Sequence, residues 1–257
     1  MIGNTVTGSN GFVGKHLLKR ITPTATVGHE FIDQFKFDAP RIFFLSAYGN
    51  MSTHTDEKKI VQANVLDLVH VLKTVDWKTK PTIVYISTSS VKLEHQTFYS
   101  RTKKMGEELL LAYLKKYDAQ ILIIRPMSIT GVGEQEEHLI PKLIDSCMNG
   151  TEMPFVGEPV HDFIDVEDFV GGVMTLVEAG AKGIFEIGTG KGYTNEEVKN
   201  IVELTIGKNA NIKRVENMRE YDNKEWISKN RKLREYKWRP EKTLYQSIKE
   251  MYELRLR

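Results

Sequence analysis

The 257-residue sequence predicts an α/β fold: a doubly wound parallel sheet with helices on both faces, followed by a small C-terminal α/β lobe. Three observations predict it. Strand-like and helical patterns alternate over residues 1–126. The segments at 41–47, 81–87 and 119–126 are apolar runs without period-two alternation, as in strands buried on both faces. The first strand runs into three glycines at every third position, Gly8, Gly11 and Gly14, with a helical pattern directly behind them.

The first strand is the β-prone run Asn4-Thr5-Val6-Thr7. The loop Thr7-Gly8-Ser9-Asn10-Gly11-Phe12-Val13-Gly14 then has the strand–turn–helix setting of a dinucleotide fingerprint, which makes the fold Rossmann-type. Gly8 suits a tight turn, Gly11 lets backbone approach a pyrophosphate, and Gly14 lets the helix pack on its strand. Gly8, Asn10, Gly11, Phe12, Val13 and Gly14 are therefore candidate cofactor contacts. The helix reaches to about Ile21, Thr22-Pro23-Thr24 breaks it, and 28–33 reads as a short strand ending in Asp33. Asp33 lies 19 residues past Gly14, close to the spacing at which a carboxylate takes the adenosine ribose hydroxyls. A surface turn acid is the alternative reading.

After the strand at 41–47 comes a helix over 56–74. The strand at 81–87 runs out into Thr88-Ser89-Ser90, and a helix over 99–116 carries Met105, Leu109, Leu110 and Tyr113 at helical spacing. Pro126 stops the strand at 119–126. Beyond it the rhythm changes. Helices are expected near 138–149, 166–179, 195–206 and 244–254, and short strands near 153–156, 160–164 and 211–215. A strand at 183–188 is expected to return to the main sheet. Residues 1–126 thus read as a dinucleotide-binding core, and 127–257 as mainly a substrate-binding lobe interleaved with it.

A formal net charge of +2 gives no pull toward nucleic acid or membrane. The basic cluster Lys229, Arg231, Lys232, Arg234, Lys237 and Arg239 reads as a solvated helix face, since no aromatic platform accompanies it. One cysteine, Cys147, excludes an intrachain disulfide and suits a reducing compartment. The start of the chain does not read as a signal peptide, and no apolar run has membrane-spanning length. A cytoplasmic protein without nucleic-acid, membrane or metal partners is expected.

Tyr99 and Lys103 stand four apart at the start of a helix and project from one face. An ammonium beside a phenol favours the phenolate, so such a tyrosine is expected to move a proton while hydride passes to or from a nicotinamide. Tyr245 and Lys249 repeat the spacing as one face of the closing helix. The first pair differs in having Thr88 and Ser89 at the carboxyl end of the preceding strand, where open α/β sheets bind ligands.

Further motifs follow the glycine loop: Phe44-Leu45-Ser46-Ala47, Asn64-Val65-Leu66, Tyr99-Ser100-Arg101-Thr102-Lys103 and Ile124-Arg125-Pro126. Then come His161-Asp162-Phe163-Ile164-Asp165-Val166-Glu167-Asp168 and Trp238-Arg239-Pro240. Together they resemble the extended short-chain dehydrogenases/reductases of the NAD-dependent epimerase/dehydratase family that act on nucleotide sugars, in a shortened form. The resemblance implies Tyr99 as acid/base, with Lys103 binding the nicotinamide ribose and tuning the tyrosine. Thr88 best matches the catalytic Ser/Thr, with Ser89 as the fallback and a substrate contact. Leu45, Ser46, Ala47 and Pro126 join Tyr99 and Lys103 around an NAD cofactor, NADP being possible. Substrate contacts are implied for Ser128, the loop after Gly131 and His161, and a homodimer through the helices at 56–74 and 99–116.

The chain also departs from that pattern. Too little sequence separates Asp33 from Arg41 for a third strand and helix, so the sheet is expected to end at the second strand. The loop between Ser90 and Tyr99 is short. His161 stands where an arginine for the diphosphate is usual, and it lacks the guanidinium fork. Ser89 and Ser90 replace the Asp-Glu pair of sugar dehydratases, which counts against water elimination. The expected function is sugar epimerisation through a transient keto sugar, with keto-sugar reduction second. A dinucleotide-binding regulatory protein without turnover is third.

Overall fold

The computed structural model describes residues 3–51, 53–216, 226–229 and 231–257, without the side chain of Arg231. The chain divides into two compact units, residues 1–126 with 173–186 and residues 127–172 with 187–257.

The first unit is built on a six-stranded sheet. In chain order its elements begin with β1 (Asn4–Thr7), α1 (Phe12–Leu17), β2 (Ala25–Val27) and β3 (Arg41–Phe44). Then α2 (Glu57–Val61) passes through a π turn at Gln62–Leu66 into α3 (Asp67–Thr74), followed by β4 (Thr82–Ile86), α4 (Phe98–Lys116) and β5 (Gln120–Pro126). After Pro126 come β6 (Ser128–Thr130), α5 (Leu139–Asn149), β7 (Met153–Phe155), β8 (Val160–His161), β9 (Phe163–Asp165) and α6 (Val166–Glu178). The chain closes with β10 (Gly183–Ile187), β11 (Tyr193–Thr194), α7 (Asn195–Ile206), β12 (Ile212–Arg214), α8 (Arg231–Glu235) and α9 (Leu244–Arg255).

The strand order is β10-β5-β4-β3-β1-β2. β1 pairs in parallel with β2 and β3, and β4 with β3 and β5. The strand at 183–188 does return to this sheet, and β2 is its edge, as the short stretch before Arg41 requires. Ile42, Phe44, Ile83, Tyr85, Ile121 and Ile123 are buried with Leu68, Val71 and Leu72 of α3 and Leu110 of α4. Unalternating apolar strands are thereby covered by helices, the arrangement a parallel sheet needs.

The second strand is not where the residue pattern puts it. β2 is Ala25–Val27, while His29–Gln34 winds into a 3-10 turn rather than a strand. Local hydrogen bonds set that register. Asn4 Nδ2 donates to Thr22 O at 3.1 Å, and Thr24 N–H and Oγ1 both donate to Asn4 O. The chain is therefore tied to β1 before Ala25 and spends its three pairing residues at once. Ile32 is the buried residue of the 3-10 turn, which gave the segment its strand-like look.

In the second unit, β6 pairs with β9, β8 with β11 and β7 with β12. Ile140, Leu143 and Ile144 of α5, Val198 and Val202 of α7 and Ile248 and Met251 of α9 form its core. The expected strand at 160–164 is two strands, broken at Asp162, whose carboxylate turns inward.

Candidate active site

Two glycines of the loop after β1 are required by what surrounds them. Gly8 has φ +68°, and a Cβ there would lie 2.8 Å from Ser46 N and 2.9 Å from Leu45 C. A Cβ on Gly14 would lie 2.2 Å from Gly8 O, so any side chain would lift α1 off the loop. Ser46 N–H donates to Thr7 Oγ1 at 3.2 Å, which holds the end of β3 against the loop. Leu45 and Ser46 thus lie against Gly8. This bare backbone cradle fits a dinucleotide phosphate.

Asp33 is displaced from its expected place. It is exposed on the 3-10 turn, past the end of β2 at Val27. The carboxylate that lies at the strand's end is that of Glu30, whose Oε1 sits 2.8 Å from the position of a Cβ on Gly28. The spacing rule points to Asp33 rather than Glu30 because it assumes a longer second strand. His29 Nδ1 and Asp67 Oδ2 lie 2.6 Å apart and tie this turn to α3. If Glu30 is the ribose acceptor, Glu30→Ala is expected to weaken NAD binding roughly tenfold, the scale of one hydrogen bond to a charged group, with Asp33→Ala near wild type. Titration with NAD and NADP checks it, and the reverse ranking returns the role to Asp33.

Tyr99 and Lys103 lie in the first two turns of α4. Thr97 caps that helix, its hydroxyl accepting from Ser100 N–H at 3.2 Å. Lys103 is fully buried, and its Nζ has no hydrogen-bond partner among the described residues. It lies 4.1 Å from the centroid of the Tyr85 ring on β4. Burial pulls its pKa down to about 7, against the opposing charge of Glu107. Burial pushes the Tyr99 phenol up to about 12. In the free chain, desolvation thus favours the neutral phenol.

The hydroxyls after β4 have different duties. Ser87 donates to the buried Glu107 carboxylate at 2.6 Å, and Thr88 caps the turn Ser89–Lys92, accepting from Ser90 N–H at 3.2 Å. Thr88 and Ser90 hydroxyls are 2.8 Å apart, and Ser89 is buried. Asn64, in the π turn, accepts from Tyr48 N–H, donates to Tyr48 O at 2.8 Å and donates to Thr102 Oγ1 at 3.0 Å. It fixes the loop after β3 to the helix turn that carries Lys103. A π turn is a frequent marker of a functional site.

Ser128 and His161 belong to the second unit. Ser128 N–H donates to Asp162 O at 3.0 Å, and the His161 ring packs at 6.0 Å from Phe163 and 5.6 Å from Trp226. The acids beside His161 are occupied with the fold. Asp162 accepts from Thr189 N–H and Oγ1, Gly190 N–H and Ser228 N–H. Asp165 accepts from Ser247 Oγ at 2.7 Å, and Asp168 from the N–H groups of Glu241 and Lys242. Arg234, Lys237 and Arg239 of the basic cluster line a cleft of about 670 Å³ in the second unit with Trp238 and Thr189.

Comparison with known proteins agrees with this architecture. The profile of the NAD dependent epimerase/dehydratase family matches residues 24–188. The chain is 30% identical over 156 residues to the trifunctional UDP-glucose 4,6-dehydratase/UDP-4-keto-6-deoxy-D-glucose 3,5-epimerase/UDP-4-keto-L-rhamnose-reductase of Arabidopsis thaliana. That alignment takes in 59% of this chain but only 23% of the plant protein. CDP-abequose synthase of Salmonella typhimurium is 22% identical, with 96% of each chain aligned. Among solved structures, MoeE5 in complex with UDP-glucuronic acid and NAD superposes with a TM-score of 0.86 at 19% identity, covering 99% of both chains. No helix among the described residues is long and apolar enough to cross a membrane. With the glycine cradle, the parallel sheet and a family match over well over half its length, the chain belongs to the NAD dependent epimerase/dehydratase family.

Proposed function

We infer that the chain is an NAD-dependent epimerase of nucleotide-linked sugars, working through Thr88, Tyr99 and Lys103. The observation that supports this most is the buried Lys103 Nζ, which lacks any hydrogen-bond acceptor. An ammonium held out of water without a partner is costly, and a site that receives a hydroxyl-bearing ligand accounts for it. The ribose of the cofactor is that ligand in this reading, and accepting from Nζ it would favour the charged lysine. NAD, when bound, supplies the hydride acceptor and donor. The chain's own work is proton transfer at Tyr99 Oη, with the Thr88 hydroxyl bonding the reacting oxygen. Ser128 and His161 are the sugar-nucleotide contacts that the family resemblance implies.

Keto-sugar reduction is the second reading, and one observation favours it. A phenol pushed up to about 12 stays protonated in the free chain, the state from which reduction of a keto oxygen starts. Water elimination has no support, because positions 89 and 90 carry hydroxyls rather than a carboxylate pair. Absorbance at the reduced nicotinamide band, followed with nucleotide sugars and their keto forms, separates the readings. The epimerase is expected to convert sugar with no net change in cofactor. Stoichiometric loss of reduced cofactor with a keto sugar establishes the reductase instead. Binding of NAD without either conversion leaves the regulatory protein.

A homodimer through α2–α3 and α4 completes the reading. Leu66 and Met105 on these helices are 50% and 53% exposed, apolar surface of the kind a partner subunit covers. Sedimentation of the full chain checks it, with a lone monomer at working concentration counting against it.

A further inference from the structure

Lys103 has no carboxylate, carbonyl or hydroxyl on its Nζ, so something else must hold it in place. The group beneath it is the face of Tyr85, 4.1 Å from Nζ to ring centroid. Tyr85 is itself fixed on every side. It is fully buried on β4 and stacks with Phe44 of β3 at 6.0 Å. Its hydroxyl donates to the backbone O of Lys103 at 3.3 Å. The neighbouring turn of α4 carries Gly106, where a Cβ would lie 2.3 Å from that hydroxyl. A glycine inside a long helix costs stability unless it admits a close neighbour, and here the neighbour is this ring.

We propose that Tyr85 is a positioning residue for Lys103: its π face, aimed by the Gly106 gap and by its bond to the Lys103 carbonyl, holds the ammonium where the ligand must meet it. The proposal rests on the reading that Lys103 serves the cofactor ribose. The ring quadrupole attracts a cation and offers nothing to a neutral amine, so it supports the charged form against burial. The other ionisable groups around Lys103 are Tyr99 and Glu107 on α4, and Glu107 is already paired with Arg125 of β5. Glu107 thus acts on Lys103 through its charge from a distance, while Tyr85 is the group in contact with the ammonium. A face also leaves all three N–H donors of the lysine open to an incoming acceptor, which a carboxylate would not.

The test is the titration of Lys103 in the full chain, read from labelled lysine side-chain resonances and assigned with Lys103→Met. Tyr85→Phe keeps the face and is expected to titrate as wild type does. Tyr85→Leu removes the face and is expected to lower the Lys103 pKa by about one unit. Replacement of Tyr85 by pentafluorophenylalanine, which keeps the ring's shape and reverses its quadrupole, is expected to do the same where the leucine variant fails to fold. NAD binding at pH 8 is then expected to weaken about tenfold in the variants with the lowered pKa, following the loss of ammonium. A titration that ignores the ring at position 85, or one that moves with NAD affinity unchanged, overturns the proposal. Lys103→Met separates this from the functional reading: if that variant binds NAD as wild type does, Lys103 is not a cofactor residue, whatever Tyr85 does to its titration.

Discussion

Tyr99→Phe is expected to lower turnover at least ~100-fold while NAD affinity stays within a few-fold, since general acid–base transfer contributes about that much and more. The substitution removes one oxygen and leaves the ring, so the packing at the start of α4 is kept. Thr97 still caps the helix, and Asn64 still holds Thr102. The environment explains why the effect should be large. The phenol is pushed up to about 12 by burial, so it holds its proton until the reaction calls on it. Tyr245→Phe is the control. Tyr245 has the same spacing to Lys249, but it is 45% exposed on α9, and Lys249 faces Glu253 at 3.8 Å. Its loss is expected to change turnover by less than about twofold, as for a surface change away from the site. Turnover in Tyr99→Phe within a few-fold of wild type would remove Tyr99 from the mechanism. A loss carried entirely by KM would make it a binding residue.

What could be read from the sequence is what local chemistry decides. Gly14 is legible because its neighbours in space, Gly8 and Ser9, are also its neighbours in sequence, whereas Gly8 meets the distant Leu45 and Ser46 and is marked only by its spacing in the motif. The apolar runs at β3, β4 and β5 are legible because burial on both faces leaves one pattern. β2 was misplaced because a three-residue edge strand has little pattern of its own, and its register is set by the side chain of Asn4, 18 residues from its partner Thr22. Asn64 stands out in the sequence as part of a motif, but the π turn that lets it tie the loop after β3 to α4 does not. The spacing of Tyr99 and Lys103 was visible, but their charge states were not. Those depend on desolvation, and the Tyr85 ring that packs on Lys103 from the preceding strand is foreshadowed only by a glycine inside α4. Likewise the acids Asp162, Asp165 and Asp168 look like a polar signature in the sequence. In the fold they are fasteners for the loops and helix around them.

Arg125→Leu is expected to cost about 3–5 kcal/mol of stability, the range for stranding one partner of a buried ion pair. Glu107 is fully buried in α4, and the Arg125 guanidinium grips it with two bonds, Nε to Oε1 at 2.8 Å and Nη2 to Oε2 at 2.6 Å. Ser87 at the end of β4 adds a third bond. The cluster therefore fastens α4 to β4 and β5 one turn beyond Lys103. Burial alone would raise the Glu107 pKa, but the bonds from Arg125 and Ser87 and the charges of Arg125 and Lys104 hold it below the ordinary carboxylate range. A depressed carboxylate contributes stability that is present above its unfolded pKa and is lost as pH falls through its folded value. The penalty of Arg125→Leu is therefore expected to be full at neutral pH. It should shrink in acid, where the stranded Glu107 takes up a proton and becomes neutral. Joint replacement, Glu107→Met with Arg125→Leu, removes both charges and is expected to recover most of the lost stability. Urea unfolding of the three chains at pH 7 and pH 5 measures this. A double variant as unstable as the single one would show that the cluster works through its shape and packing rather than through its charges.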